Sequence, residues 1–248
     1  MSSVRAELEA WIEAAPTPHG DHFAGHGSEI ERQLAYRLLK YRNQGTWGDL
    51  PVVPPTPDTA LAAQAPLHTS ATTFYGDLVL MRGGRVVLIE CDGAAFHRDQ
   101  FRDDVRLALI LAAGLVDDIF RFRGTMLTHG PEDAAYLMQQ VLPADFFSEV
   151  SPIVLPSLIH RETQVAGQQL VQAGAPFSLN YEAEVETAGY DEHDSPNRRT
   201  AEFQFVYMTA AAPTPTVATI TAALASAQPT TMDRALYLAE QALAQEDR

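Results

Sequence analysis

One cysteine, Cys91, is all the thiol chemistry in this 248-residue chain. It excludes an intramolecular disulfide and suits a reducing compartment. Long apolar runs are also missing. The longest, residues 107–116, is too short to cross a bilayer and is interrupted by Gly114. The opening Met1-Ser2-Ser3-Val4-Arg5-Ala6-Glu7 has no apolar signal core, so the expected location is the cytoplasm. Positive charge is scarce as well: 17 Lys and Arg face 32 Asp and Glu, a net charge of −15. Such a balance argues against a uniformly basic nucleic-acid binder. The deficit is uneven. Residues 28–140 hold 11 basic against 14 acidic side chains (−3), whereas residues 141–248 hold 5 against 14 (−9). What the chain does have is apolar mass: 46% hydrophobic residues at this length suffice for one large domain or two small ones.

The most informative stretch runs from Val86 to His97. Four apolar residues, Val86-Val87-Leu88-Ile89, lead directly into Glu90-Cys91-Asp92-Gly93, and His97 follows. A buried strand that ends in carboxylates is costly unless a cation or hydrogen bonds compensate the charge. Asp77 lies 13 positions before Glu90, ahead of a second apolar run, Leu78-Val79-Leu80. Gly83-Gly84 between the runs predicts a hairpin. Pairing in that hairpin brings Asp77 beside Glu90 and Asp92, a divalent-metal site on a sheet. Strand alternation puts Glu90 and Asp92 on one face and the Cys91 thiol on the other, in the core.

Asp77, Glu90-Cys91-Asp92-Gly93 and His97, followed by Asp103 and Arg106, Gly114 and Arg121, resemble the core of the PD-(D/E)xK nuclease superfamily. The closer likeness is to its very-short-patch-repair-like (Vsr-like) branch, over roughly residues 28–137. The superfamily's usual lysine is absent, with Asp92 in its place, as in that branch. The resemblance implies an α/β fold of restriction-endonuclease-like type, a mixed central sheet flanked by helices. It implies an endonuclease, expected to cut DNA, that uses Mg²⁺ (or Mn²⁺). The metal ligands it implies are Asp77, Glu90, the backbone carbonyl of Cys91, and Asp92. It also implies a histidine at the active site, His97, and a glutamate on the opening helix, Glu31.

Other segments frame that core. Residues 4–14 read as a short amphipathic helix, ended by Pro16 and Pro18. His19, His22 and His26 fall in a glycine-containing loop whose spacing fits no standard zinc site. Ser28 and Glu31 form a capping box at the start of a helix carrying Ile30, Leu34, Leu38 and Tyr41 on one stripe, and capping alone accounts for Glu31. Residues 43–70, rich in Pro, Gly, Thr and Ala, read as a loop or extended insertion. Residues 98–113 read as a helix, 119–122 as a strand and 131–141 as another helix. Further on, Glu182, Glu184 and Glu186 alternate with Ala183 and Val185, the pattern of a half-exposed strand that pairs with residues 203–207. Residues 210–216 read as a linker and 232–244 as a terminal helix. The expected division is an N-terminal helix and loop (1–27), a nuclease core (28–144) and an acidic α+β region (145–248) that offers a surface for a protein partner.

Chemistry assigns further roles. Mg²⁺ takes oxygen ligands and keeps several waters, so Asp77 and Glu90 suffice as anchors. Asp92 can hold a second ion or orient water, and His97 can act as general base or donate to a phosphate oxygen. Arg102 and Arg121 are candidate phosphate contacts. Arg106 is expected to pair with Asp103 three residues before it on the same helix. A non-catalytic binding or assembly module of the same fold, and a hydrolase for a small phosphorylated substrate, are the competing readings.

Overall fold

The computed structural model describes residues 3–15, 28–39, 52–53, 58–93, 99–190 and 196–246. Six strands form one mixed sheet: β1 (Thr59–His68), β2 (Thr73–Arg82), β3 (Arg85–Asp92), β4 (Asp118–Arg123), β5 (Phe177–Tyr190) and β6 (Pro196–Thr209). Their order across the sheet is β1-β2-β3-β4-β6-β5. β1, β2 and β3 are an antiparallel meander, and β4 joins β3 in parallel. The Gly83-Gly84 turn between β2 and β3 has φ of 56° and 77°, positive at both positions as a type I′ hairpin turn needs and as glycine adopts freely. A parallel neighbour demands a crossover, and helix α3 (Gln100–Ala112) supplies it. Asp99 caps this helix by accepting from the Arg102 N–H (3.0 Å).

Helices cover both faces. On one, α2 (Glu29–Leu39), α4 (Gly124–His129), α5 (Pro131–Val141), α6 (Ser151–Leu158) and α7 (Arg161–Ala173) accompany a core of Leu34, Leu78, Leu80, Ile89, Phe120, Phe122 and Phe205. On the other, α1 (Ser3–Ala14), α3, α8 (Pro215–Ala227) and α9 (Met232–Glu246) pack over Val79, Met81, Val86, Leu88 and Ile119. The alternation Val86/Leu88 against Val87/Ile89 is the period of two that a strand buried on both faces requires. The architecture is therefore α/β, a mixed sheet between helical layers. Among the described residues, no helix is long and apolar enough to cross a membrane.

Several segments differ from the sequence reading. The stretch expected as loop or insertion, residues 43–70, ends in β1. Apart from Thr59, its Thr-Ala-Leu-Ala-Ala-Gln-Ala-Pro-Leu-His lacks the β-branched and aromatic residues that mark strands, and Pro66 is tolerated because β1 lies at the sheet's edge. Helices α4, α6, α7 and α8 were not expected. Val165 and Val171 of α7 are exposed while Thr163 and Gly167 are buried, so its stripe is not apolar enough to read as one. The hairpin of β5 and β6 is present, and β6 pairs with β4, so residues beyond 145 complete the central sheet.

Candidate functional site

The β2–β3 ladder runs from Arg82↔Arg85 to Leu78↔Ile89. One step further, Asp77 stands opposite Glu90, and there a side chain takes over from the backbone: the Cys91 N–H donates to Asp77 Oδ2 (2.7 Å). On the other side of Asp77, β1 pairs Ala63↔Leu78 and Ala65↔Gly76, leaving Gln64 opposite Asp77 with a φ of 53°. Gln64 turns its carboxamide to Glu31 of α2, donating to Oε2 (2.8 Å). The other oxygen of Glu31 closes the capping box, accepting from the Ser28 N–H (3.0 Å) and hydroxyl (2.7 Å). Gly76, directly before Asp77, is required by packing: a Cβ there would lie 2.6 Å from Leu88 Cδ1.

Glu90 is 3% exposed, and Asp92, at the end of β3, is half-buried. Each meets an arginine. Arg106 of α3 donates to Glu90 Oε1 (2.9 Å) and to the Tyr75 carbonyl (2.9 Å). Arg121, the register partner of Glu90 on β4, bonds Asp92 Oδ2 (2.9 Å) and Asp103 Oδ2 (3.3 Å). The expected Arg106–Asp103 pair is therefore replaced: Arg106 reaches down to the sheet, and Asp103 pairs across to β4. The reason is burial. A nearly solvent-free carboxylate attracts a guanidinium far more strongly than an exposed one on the same helix.

Burial pushes the Glu90 carboxyl up to about 8; Asp77 and Asp92 push the same way, and Arg106 and Arg121 oppose them. Burial likewise raises Asp77 to about 6, with Glu31 and Asp92 adding to the rise while the Cys91 N–H and Arg106 pull back. Glu31, Asp77, Glu90 and Asp92 thus share one electrostatic environment. Burial also drives the Cys91 thiol far up, and its side chain belongs to the core cluster on the face away from Arg106. The thiol is inert packing; only its backbone is at the site.

Of the residues singled out from sequence, Glu31, Asp77, Glu90, Cys91, Asp92 and Arg121 come together here. Arg102 lies on the exposed face of α3, with no side-chain ion pair among the described residues. His97 falls outside the described residues, as do His19, His22 and His26. Sequence reasoning missed Gln64, whose only mark was a polar residue in an alanine run, and misplaced Arg106.

Among the described residues, no three His, Cys, Asp or Glu side chains converge as a ready-made chelating cluster. Mg²⁺ does not need one, since one or two carboxylates and retained waters commonly hold it. The donors present are hard oxygens. Two of them, Asp77 and Glu90, are held near proton-binding strength by burial and by neighbouring carboxylates, a cost that a divalent cation would relieve in place of protons. The residues fit such an ion. No family model, curated protein or solved structure matches the chain.

Proposed function

We propose that this chain is a metal-dependent endonuclease that hydrolyses phosphodiester bonds in DNA on a restriction-endonuclease-like core. The observation that carries the reading is the opposition of Asp77 and Glu90 at the point where the β2–β3 ladder opens, both strongly drawn toward protons or a cation. The succession α2, three antiparallel strands, α3 and a parallel β4 supports it, since it builds the mixed sheet flanked by helices that the sequence resemblance implies.

In this reading Asp77, Glu90 and the Cys91 carbonyl hold Mg²⁺ or Mn²⁺. A bound ion supplies Lewis acidity toward the phosphoryl oxygen and lowers the pKa of water. The chain's own groups do the rest. Glu31, fixed by Ser28 and Gln64, adds negative charge beside Asp77 and keeps α2 pinned to the sheet. Arg106 holds Glu90 in one rotamer against the sheet, and Arg121 does the same for Asp92. Both guanidiniums offset the carboxylate charge that would otherwise repel a phosphodiester. Asp92 is thereby a positioning group, and the role of His97 as general base or phosphate donor rests on the resemblance.

The test is cleavage of double-stranded, mismatched and single-stranded DNA and of RNA, with Mg²⁺, with Mn²⁺ and with chelator. Metal-dependent cutting abolished by both Asp77→Ala and Glu90→Ala supports the proposal. Cutting that survives Asp77→Ala sinks the site assignment. A second reading, a binding or assembly module of the same fold, is favoured by one observation: Glu90 and Asp92 already carry arginine partners that satisfy their charge. Absence of cutting under every condition selects it.

A further inference from the structure

Beyond Asp92 the sheet continues into a cleft of about 550 Å³, within the range of small-ligand sites. Its floor is built by register. Asp92 pairs with Arg123 on β4, Arg121 pairs with Val206 on β6, and Gln204 of β6 pairs with Asn180 of β5. Gln100, at the start of α3, forms part of the opposite wall. From Asp92 to Asn180 the cleft crosses three strand spacings, about 14 Å at ~4.8 Å each, the reach of one or two nucleotides.

Its chemistry is selective. Arg121 faces Asp92 and Asp103, and Arg123 faces Glu202 (2.5 Å), so the cationic charge in the cleft is already matched and a phosphate finds little surplus attraction. Gln100, Asn180 and Gln204 are different: among the described residues their carboxamides make no side-chain hydrogen bond, and all three line the same space. A carboxamide presents a donor and an acceptor side by side. That pair is complementary to the N6 amino group and N7 of adenine. Among the described residues no aromatic ring lines the cleft, and the carboxamides there offer contacts to base edges.

We propose that this cleft reads a nucleobase next to the cut site, with Gln204 and Asn180 selecting adenine and Gln100 closing the contact from α3. The inference rests on the nuclease reading. It gives the C-terminal hairpin a specificity role that the acidity of this region does not suggest.

The experiment pairs wild type with the double variant Asn180→Ala/Gln204→Ala, whose side chains are at the surface and whose fold is checked by circular dichroism and melting. Cleavage positions are mapped on a pool of duplexes randomised at the bases flanking the cut. Separately, binding of fluorescent 12-mers that differ in one central base is measured by anisotropy with chelator present. Wild type is expected to favour adenine at one flanking position roughly tenfold, in line with the 1–3 kcal/mol of a good bidentate pair. The double variant is expected to lose that preference while its total cutting of the pool stays within about threefold. Cutting without base preference, or a preference that the double variant retains, overturns the inference and leaves the nuclease intact. If wild type cuts nothing, the nuclease reading fails on its own, and the binding arm decides. An adenine preference abolished by the double variant then upholds the cleft as a base-reading site, and equal binding of all four 12-mers overturns it.

Discussion

Replacing Glu90 by glutamine isolates what the buried carboxylate costs. With its carboxyl raised by burial to about 8 against an ordinary 4.5, the folded chain binds a proton more tightly than the unfolded one. The sign follows from linkage. The contribution of Glu90 to stability is full below about pH 4.5 and is lost progressively as pH rises through about 8. At 1.36 kcal/mol per pH unit the whole loss is about 5 kcal/mol, and because Asp77 titrates in the neighbouring range the two share it, leaving about 2–5 kcal/mol for Glu90. Glutamine keeps the shape and can still accept a hydrogen bond from Arg106, but has no charge to desolvate. Urea unfolding of both proteins in chelator, from pH 5 to pH 9, should show Glu90→Gln near wild type at pH 5 and more stable by about 2–5 kcal/mol at pH 9. A difference that stays within about 0.5 kcal/mol, or reverses, would mean that Arg106 outweighs burial, and the argument for a cation-seeking pair would collapse.

Three other outcomes are expected. Mg²⁺ should raise the melting temperature of the wild type more at pH 8 than at pH 6, because it replaces protons, and Asp77→Asn should abolish the shift in a thermal scan. Gly76→Ala should destabilise by about 1–3 kcal/mol in urea titration, since its Cβ meets Leu88 at 2.6 Å in a filled core; unchanged stability would show that β2 can shift at this point. Asp133 is fully buried and accepts from both the N–H (3.0 Å) and Nδ1 (2.9 Å) of His160, whose pKa is raised chiefly by that hydrogen bond. The pair's stabilisation should therefore be complete below about pH 6.5 and fade as pH rises through the higher folded value, and Asp133→Asn should flatten that part of the stability curve.

Much of the site was legible because it is local. Asp77, the Gly83-Gly84 turn and Glu90-Cys91-Asp92 lie within one hairpin, so period and turn chemistry alone place the carboxylates together. The capping box of Ser28 and Glu31 is likewise written in four residues. Long-range choices were not legible. Arg106 had Asp103 on its own helix and Glu90 across the sheet, and only the burial of Glu90 decides between them. β1 was hidden by its alanines, which take their strand conformation from pairing with β2 rather than from propensity. Nor did acidity after residue 141 signal that this region completes the sheet. Its inward residues Ala183, Val185, Phe203 and Phe205 carry that information, and the glutamates between them mask it.

Those glutamates have a consequence for the behaviour of the protein at high concentration. β5, 14 residues long, ends the strand order, and among the described residues no strand pairs with its outer side. A strand edge of that length is a template on which another chain can add a strand. Glu182, Glu184 and Glu186 stand exposed along it, with Glu184 paired to Arg198 of β6 (3.2 Å), so a second copy approaching edge to edge brings surplus negative charge against the first. The repulsion is strongest at low salt and fades as the Debye length falls from about 10 Å at 0.1 M to 3 Å at 1 M. The same acidic row that makes the region look unfit for nucleic acid thus keeps the molecules apart from one another, and high salt weakens that protection.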